Sequence, residues 1–397
     1  MQRVLTLLGF SVLLLLAWGL LVLASAGGGN GIRLYSDPNH FIVRQGIWLV
    51  VSLPFLFAAA KFDYHKWREL PWLTIIAYVV VVVLMLVVFL FPPVNGSRRW
   101  VNLGPVRLQP SEFAKLLSVL ATAVFLDRAG WSIGKFWRGA VKAVAIVGLL
   151  MVLALGEPDF GATMVIGLTG GVLFLVSGMK IVHMLSLGAA GLGVVGSLLA
   201  LNANRMNRIL SWVKGMFGDT MVGAASAGVA GLTPKEQAAI HQVDMALVAI
   251  QNGGLTGVGF NRSMQKLRYL PEAHTDFIFA IGAEEWGLFF SISLLVLFTT
   301  FFVCGMIVSV RAPDRLGRLL AFGMTFLVFF QAVFNIGVVT KCLPTKGLAL
   351  PFISYGGTNL ITAMVAVGVL FNIGLQIELP KPRPRSTISP VFSKQGV

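Results

Sequence analysis

Carboxylates are scarce in this chain, with 16 acidic residues against 31 lysines and arginines, yet Glu272, Asp276, Glu284 and Glu285 fall close together. They come after a basic approach, Lys266 and Arg268, and straddle the start of an apolar run from Phe277. Pro271 discourages helix at Leu270, and Thr275 or Asp276 is a natural N-cap for the helix expected from Phe277 onward. A carboxylate flanked by His274 and Thr275 therefore stands where a polar loop enters an apolar helix. Capping is one reading of Asp276. The other is chemistry, because an acid at a membrane span is costly to keep and a carboxylate suits the role of general base. His274 and Asp276 do not read as a dyad, since residues so close in sequence point different ways.

Three more constellations accompany it. In Pro110-Ser111-Glu112-Phe113-Ala114-Lys115, proline suits the first helical position and Glu112 and Lys115 share a face at i, i+3. On a soluble helix this would be a weak surface pair; at the head of a span it is expected to face an internal, watered cavity. Arg98, Arg99 and Trp100 offer guanidinium clamps for a diphosphate beside an apolar wall, or an ordinary interfacial anchor. Arg44 and Gln45, at the mouth of the second span, could join the same cavity or simply snorkel. In the third constellation, Lys346 precedes Ser354-Tyr355-Gly356-Gly357, where glycines at the head of a span leave N–H groups open to an anion or to a packed helix. Ser354 lacks a histidine within reach in sequence and is not read as a nucleophile.

The elements that must position these groups are membrane helices. With 56% apolar and only 12% charged residues the chain is a polytopic membrane protein. Runs of roughly 20 apolar residues mark ten spans: 4–25, 42–60, 72–91, 111–126, 140–155, 160–179, 182–202, 277–309, 317–340 and 356–377. The first imitates a secretory signal but is too long for one, and is read as an uncleaved helix. Arg3, Lys61, Lys66, Arg68, Arg128, Lys135, Arg138, Lys142, Arg311, Arg315 and Arg318 share one side with the basic tail, which makes that side cytoplasmic. Against that preference, Arg98, Arg99 and Arg107 occupy a short connection on the other side, as Arg208 and Lys346 do in longer ones. Cations held there against topology point to an anion. The net charge of +15 agrees, and because the basic residues are spread over many loops a nucleic-acid partner is not supported. Cys304 and Cys342 are placed near opposite faces, with no disulfide between them.

The connection 203–276 is a large extracytoplasmic loop between helices 7 and 8. Its Gly- and Ala-rich part, 218–239, reads as a mobile or amphipathic excursion, and Gln242–Ile250 as a short helix. Gly253-Gly254 and Gly257-Val258-Gly259 read as a tight turn rather than a phosphate cradle, lacking the preceding strand and the lysine that a P-loop needs. The eighth apolar run is too long: 277–309 would measure about 50 Å as helix against a hydrocarbon core of about 30 Å. A span proper beginning near Trp286, entered at an angle, resolves the excess. Residues 1–380 form one transmembrane domain, and 381–397, rich in Pro, Ser and basic residues, a disordered cytoplasmic tail.

Leu270-Pro271-Glu272-Ala273-His274-Thr275-Asp276-Phe277-Ile278-Phe279, Pro344-Thr345-Lys346-Gly347 with Ile353-Ser354-Tyr355-Gly356-Gly357, and Asn95-Gly96 with Arg99-Trp100 and Gln109 to Lys115 resemble the signatures of the SEDS family of peptidoglycan glycosyltransferases. Glu-Ala before His274 resembles its cell-division branch more than its elongation branch. The resemblance implies an all-α integral membrane protein of about ten transmembrane helices. It also implies lipid II as substrate, polymerised with Asp276 as base and with inversion at the anomeric carbon. Arg98, Arg99, Lys115 and Arg208 become candidate diphosphate clamps. Arg44, Trp100, Glu112, His274, Thr275, Lys346 and Ser354 complete the candidate substrate contacts. A divalent cation, Mg2+ or Mn2+, is implied with no ligand cluster to place it. The implied partners are a class B penicillin-binding transpeptidase and other division proteins. A lipid-diphosphate flippase and a non-enzymatic division scaffold are the alternatives from other classes.

Overall fold

The computed structural model describes residues 1–93, 98–104, 106–200, 234–268, 270, 273–343 and 347–378. Helices stand at each of the ten expected spans: α1 (Gln2–Ala26), then, past α2 (Gly28–Tyr35), α3 (His40–Lys61), and past α4 (His65–Glu69), α5 (Pro71–Val87). A hairpin of β1 (Val101–Leu103) and β2 (Val106–Leu108) leads into α6 (Pro110–Ala129), α7 (Val141–Gly156), α8 (Phe160–Val176) and α9 (Ile181–Ala200). After the long connection come α10 (Pro234–Gly253), α11 (Gln265–Arg268), α12 (Ile278–Arg311), α13 (Arg315–Val339) and α14 (Gly357–Gln376). Prolines open α5 and α6 at a position where no N–H is needed. Aspartates cap two others, Asp159 accepting from Ala162 N at 3.2 Å and Asp314 from Gly317 N at 3.3 Å.

Seven of these helices are long and apolar enough to cross a bilayer alone, by length and composition, among the described residues. The other three are α6, which carries a buried ion pair, α8, with 17 residues, and α9, of which Ile181–Gly191 is a shorter apolar helix among the described residues. Helices α13 and α14 are the most buried of the seven and α3 and α5 the least, so α13 and α14 form the centre and the valines and leucines of α3 and α5 face outward.

Hydrogen bonds sort the two ends of the bundle. On the terminal side, the Met1 ammonium meets Glu378 at 3.0 Å, the Tyr64 hydroxyl donates to Asp314 at 2.6 Å, and Arg315 donates to Ser177 O at 3.1 Å. On the opposite side, Gln109 N donates to Thr358 Oγ1 at 3.2 Å, Ser111 Oγ to Asp159 at 2.9 Å and Ser354 Oγ to Thr275 O at 2.6 Å.

The overlong eighth run is broken as its length requires. Gly287 leaves the helix at φ 64°, ψ −149°, a conformation that favours glycine, and α12 continues beyond it. The turn at 253–259 packs into this break: Val258 N and Gly259 N each donate, at 3.0 Å, to the carbonyls of Glu284 and Glu285.

Three expectations need correction. The N-cap position of α12 falls on Phe277, one or two residues past the expected Asp276 or Thr275. The expected short helix at 242–250 is the end of a 20-residue helix, α10, which takes in 234–239 of the supposed excursion. The connection before α6 holds a small antiparallel hairpin, with Val101 opposite Leu108 and Leu103 opposite Val106, in a chain read as all helix. Residues 218–233 and the tail 381–397 lie outside the described residues, while Cys304 and Cys342 are free thiols.

Candidate functional site

The site is built around residues 347–356, a non-helical segment between α13 and α14 that is buried at Leu348, Leu350, Phe352 and Ile353. Irregular backbone survives inside a bundle only if its polar groups are answered locally. Here Ser354 N donates to Leu350 O at 3.0 Å and Leu350 N to Ser354 Oγ at 2.7 Å. Ser354 Oγ donates in turn to Thr275 O, and Tyr355 N donates to His274 O at 3.0 Å. The segment is thereby stitched to His274-Thr275-Asp276.

From α13, Asn335 Nδ2 donates to Asp276 O at 2.9 Å and to Leu348 O at 2.6 Å, clamping both segments with one amide. The Asp276 carboxylate lies against Gly347, where a side-chain carbon would collide with it. Glycine is needed at 347 for this close approach. Asp276 and Thr275 are half-buried; His274 is buried, its ring 4.2 Å from that of Phe41.

Arg44 and Gln45 reach the site from α3. Gln45 Nε2 donates to Ser354 O at 3.2 Å and Gln45 Oε1 accepts from Gly356 N at 3.3 Å. Arg44 and Arg107 lie close enough to the Tyr355 side chain to act on it electrostatically. Two guanidinium groups thus converge on one phenol beside the irregular segment.

Glu112 and Lys115 pair inside the protein, as their spacing indicates. Lys115 Nζ donates to Glu112 Oε1 at 2.8 Å and to Gln331 Oε1 at 2.7 Å. The Gln331 amide continues to Ala349 O at 2.8 Å and to Asn359 Oδ1 at 3.0 Å, tying α6, α13, α14 and the irregular segment together. A cavity of about 10 Å3 lies beside the pair, enough for about one water, and Glu112 Oε2 has no hydrogen-bond partner among the described residues.

On the flank, Asp159 Oδ2 accepts from Gln109 Nε2 and Ser111 Oγ, each at 2.9 Å. Arg99 donates to the backbone carbonyls of Glu157, at 3.3 Å, and Pro158. Glu157 is wholly buried and neither carboxylate oxygen has a hydrogen-bond partner among the described residues. Burial, then the Asp159 charge, pushes its carboxyl up to about 8, with Arg99 opposing.

Lys266, in the basic approach to Asp276, is buried. Its ammonium meets Glu285 Oε1 at 2.9 Å, Ser25 Oγ at 2.6 Å and Asn261 Oδ1 at 2.6 Å. Glu284 accepts from Ser263 Oγ and from Met264 N, so this pair of acids anchors the loop 257–266 on the kink in α12.

The structure therefore gathers Asp276, Thr275, His274, Ser354 and Arg44 into one place and joins Glu112 and Lys115 to it through Gln331. Arg99 sits on the flank; Arg98, exposed, donates to Phe89 O at 2.9 Å, and Trp100 is half-buried next to β1. Arg208 and Lys346 lie outside the described residues. Gln331, Asn335, Asn359 and Asp159 escaped the sequence reading. The signal was available as polar side chains inside or at the head of apolar runs, with Gln331 and Asn335 one helical turn apart.

Residues 5–378 match the FTSW_RODA_SPOVE family, described as "Cell cycle protein". A Coxiella burnetii protein, "Probable peptidoglycan glycosyltransferase FtsW", is 35% identical over 92% of this chain and 94% of its own. Bacillus subtilis "Stage V sporulation protein E" is 36% identical over 91% of this chain and 94% of its own. Among solved structures, a chain from "Structural coordination of polymerization and crosslinking by a peptidoglycan synthase complex" superposes with TM-score 0.68 at 25% identity, covering 94% of this chain and 98% of that one. Thermus thermophilus RodA gives TM-score 0.66 at 24% identity, covering 94% and 97%. The match along nearly the whole length, together with the helix order and the site just described, makes this chain a member of the FtsW, RodA and SpoVE family of polytopic membrane proteins.

Proposed function

We propose that the chain is a peptidoglycan glycosyltransferase that polymerises lipid II during cell division. The observation that carries the proposal is the Asp276 carboxylate, seated against Gly347 on backbone clamped by Asn335 and Ser354, with Arg44 and Arg107 converging near by. The curated relatives named above as peptidoglycan glycosyltransferases support it.

In the reaction, Asp276 takes the proton of the acceptor sugar 4-hydroxyl as its oxygen attacks the anomeric carbon of the donor. The bond to the polyprenyl diphosphate breaks in the same step, so an α-linked diphosphate yields a β-1,4 linkage. In this reading Arg44 and Arg107 would supply positive charge for the departing diphosphate, with Arg98 and Arg99 as further cations. Lys115, committed to Glu112 and Gln331, braces the irregular segment. A Mg2+ or Mn2+ ion fits only as one borne partly by diphosphate oxygens, because no three His, Cys, Asp or Glu side chains form a metal-holding group among the described residues. It would neutralise charge on the leaving group.

The basic residues of the terminal side support a cytoplasmic placement of that side, with Asp276 then at the outer face of the membrane. A class B penicillin-binding transpeptidase is the expected partner, in keeping with the polymerisation and crosslinking complex to which one structural neighbour belongs. The test is to place the purified chain, with that partner, in vesicles carrying lipid II and to measure polymer and lipid translocation together. Muramidase-sensitive polymer is expected. Translocation without polymer would make the chain a flippase, and neither would leave it a scaffold.

A further inference from the structure

A row of rings leads from the catalytic loop to the surface. His274 lies 4.2 Å from Phe41, which meets Tyr355 at 5.0 Å, His40 at 5.5 Å and Tyr35 at 5.9 Å. At the outer end Tyr35 and His40 stack face to face, 3.6 Å apart and 7° from parallel. Tyr35 remains 45% exposed, so one face of the stack is covered and the other open. The pair is held in place rather than loose. Asp37 accepts from Asn39 N at 2.9 Å just before His40, and α3 is fixed to the catalytic segment by Gln45 one turn further on.

We infer that the Tyr35–His40 stack is a sugar-binding ledge, on which the nascent glycan strand rests a residue or two beyond the bond being made. The inference rests on the glycosyltransferase reading above. A pyranose presents an apolar C–H face that suits an open aromatic ring, and polar groups at the ring edges then fix its orientation. Asp37 and Arg44, the charged groups that act on His40, supply those groups here. Phe41 stands between Tyr35 and His274, which places the ledge along the strand rather than at the reacting carbon. A strand held there stays in register for the next addition, so the ledge should govern strand length.

The alternative is that α2 merely rests on the membrane surface, since Ile32 and Leu34 beside Tyr35 are also exposed. The experiment uses the full chain with its transpeptidase partner, polymerising lipid II in the presence of a soluble N-acetylglucosamine–N-acetylmuramic acid tetrasaccharide. The tetrasaccharide should inhibit the wild type, and Tyr35→Ala and His40→Ala should raise its half-inhibitory concentration at least fivefold. Both should shorten the strands, and Tyr35→Trp should restore both properties. Leu34→Ser should stay within twofold of wild type. The ledge is refuted if the tetrasaccharide inhibits wild type and Tyr35→Ala alike, if it inhibits neither, or if Leu34→Ser reproduces the loss. Absence of polymer from the wild-type complex would instead refute the enzymatic reading itself.

Discussion

The two ends of the helix bundle carry charge differently: Glu112, Lys115, Glu157, Asp159, Lys266, Glu284 and Glu285 are buried on one side, while the charged groups of the terminal side are half-buried or exposed. On the terminal side, Tyr64, His65, Arg68, Asp63, Asp127, Asp314, Asn372 and Gln376 make a cross-braced cluster. Arg68 stands 3.7 Å from Asp127 and 3.8 Å from Asp314, His65 donates to Asp63 at 2.8 Å, and Asn372 holds both Tyr64 N and Ala60 O. Its carboxylates have cationic or amide partners. On the opposite side, Glu112 Oε2, Glu285 Oε2, Asn335 Oδ1 and both oxygens of Glu157 are buried with no hydrogen-bond partner among the described residues, against Asp314 Oδ2 on the terminal side, which has the Arg68 guanidinium at 3.8 Å. Each such atom costs about 1–3 kcal/mol. One end is arranged to hold helices together. The other gives up stability around Asp276, which is where a site would be expected to do so.

Mutations can sharpen that contrast, and the largest effect is expected at Lys115. Lys115→Met strands Glu112 as an unpaired buried charge, a change that costs about 3–5 kcal/mol. Unfolding in detergent and polymerisation should both suffer. Adding Glu112→Gln should recover most of the stability but not the rate; recovery of both would make the pair purely structural. Gly347→Ala should cost about a hundredfold in turnover by displacing the Asp276 carboxylate, with little change in unfolding temperature.

Glu157 gives a pH signature. Its carboxyl is raised in the folded protein to about 8 from an ordinary 4.5, so the folded state binds more protons than the unfolded one between those values. Stability attributable to it is present below 4.5, falls as pH rises, and is lost above 8. Glu157→Gln should therefore unfold about 5 °C higher than wild type at pH 8.5, with the difference vanishing toward pH 4.5. The smallest effect belongs to the terminal side: Tyr64→Phe removes one hydrogen bond to Asp314 and should cost about 1 kcal/mol in unfolding while polymerisation stays within twofold. A large loss of rate there would erase the distinction between the two ends.

Much of the bundle was legible because hydropathy reports directly on spans, and even the break at Gly287 was implied by a run too long for the bilayer. The Glu112–Lys115 pair was legible from spacing alone. The clamp by Asn335 and the relay through Gln331 were not, because a polar residue in an apolar run announces a partner without naming it. The hairpin at 101–108 was missed although Val101-Asn102-Leu103 and Val106-Arg107-Leu108 alternate around Gly104, since composition had argued for helix throughout. The N-cap was expected at Thr275 or Asp276 and falls on Phe277, with Asn335 fixing the Asp276 carbonyl and Gly347 leaving room for its carboxylate. The burial of Lys266 was not legible, because sequence shows charge but not the buried Glu285 that neutralises it.

The most direct test of Asp276 as base is the coupling rate of Asp276→Asn in the reconstituted complex, measured beside its unfolding temperature. The account predicts a fall of at least about a hundredfold, the lower end for loss of a general base, with unfolding unchanged. Coupling within threefold of wild type would contradict it.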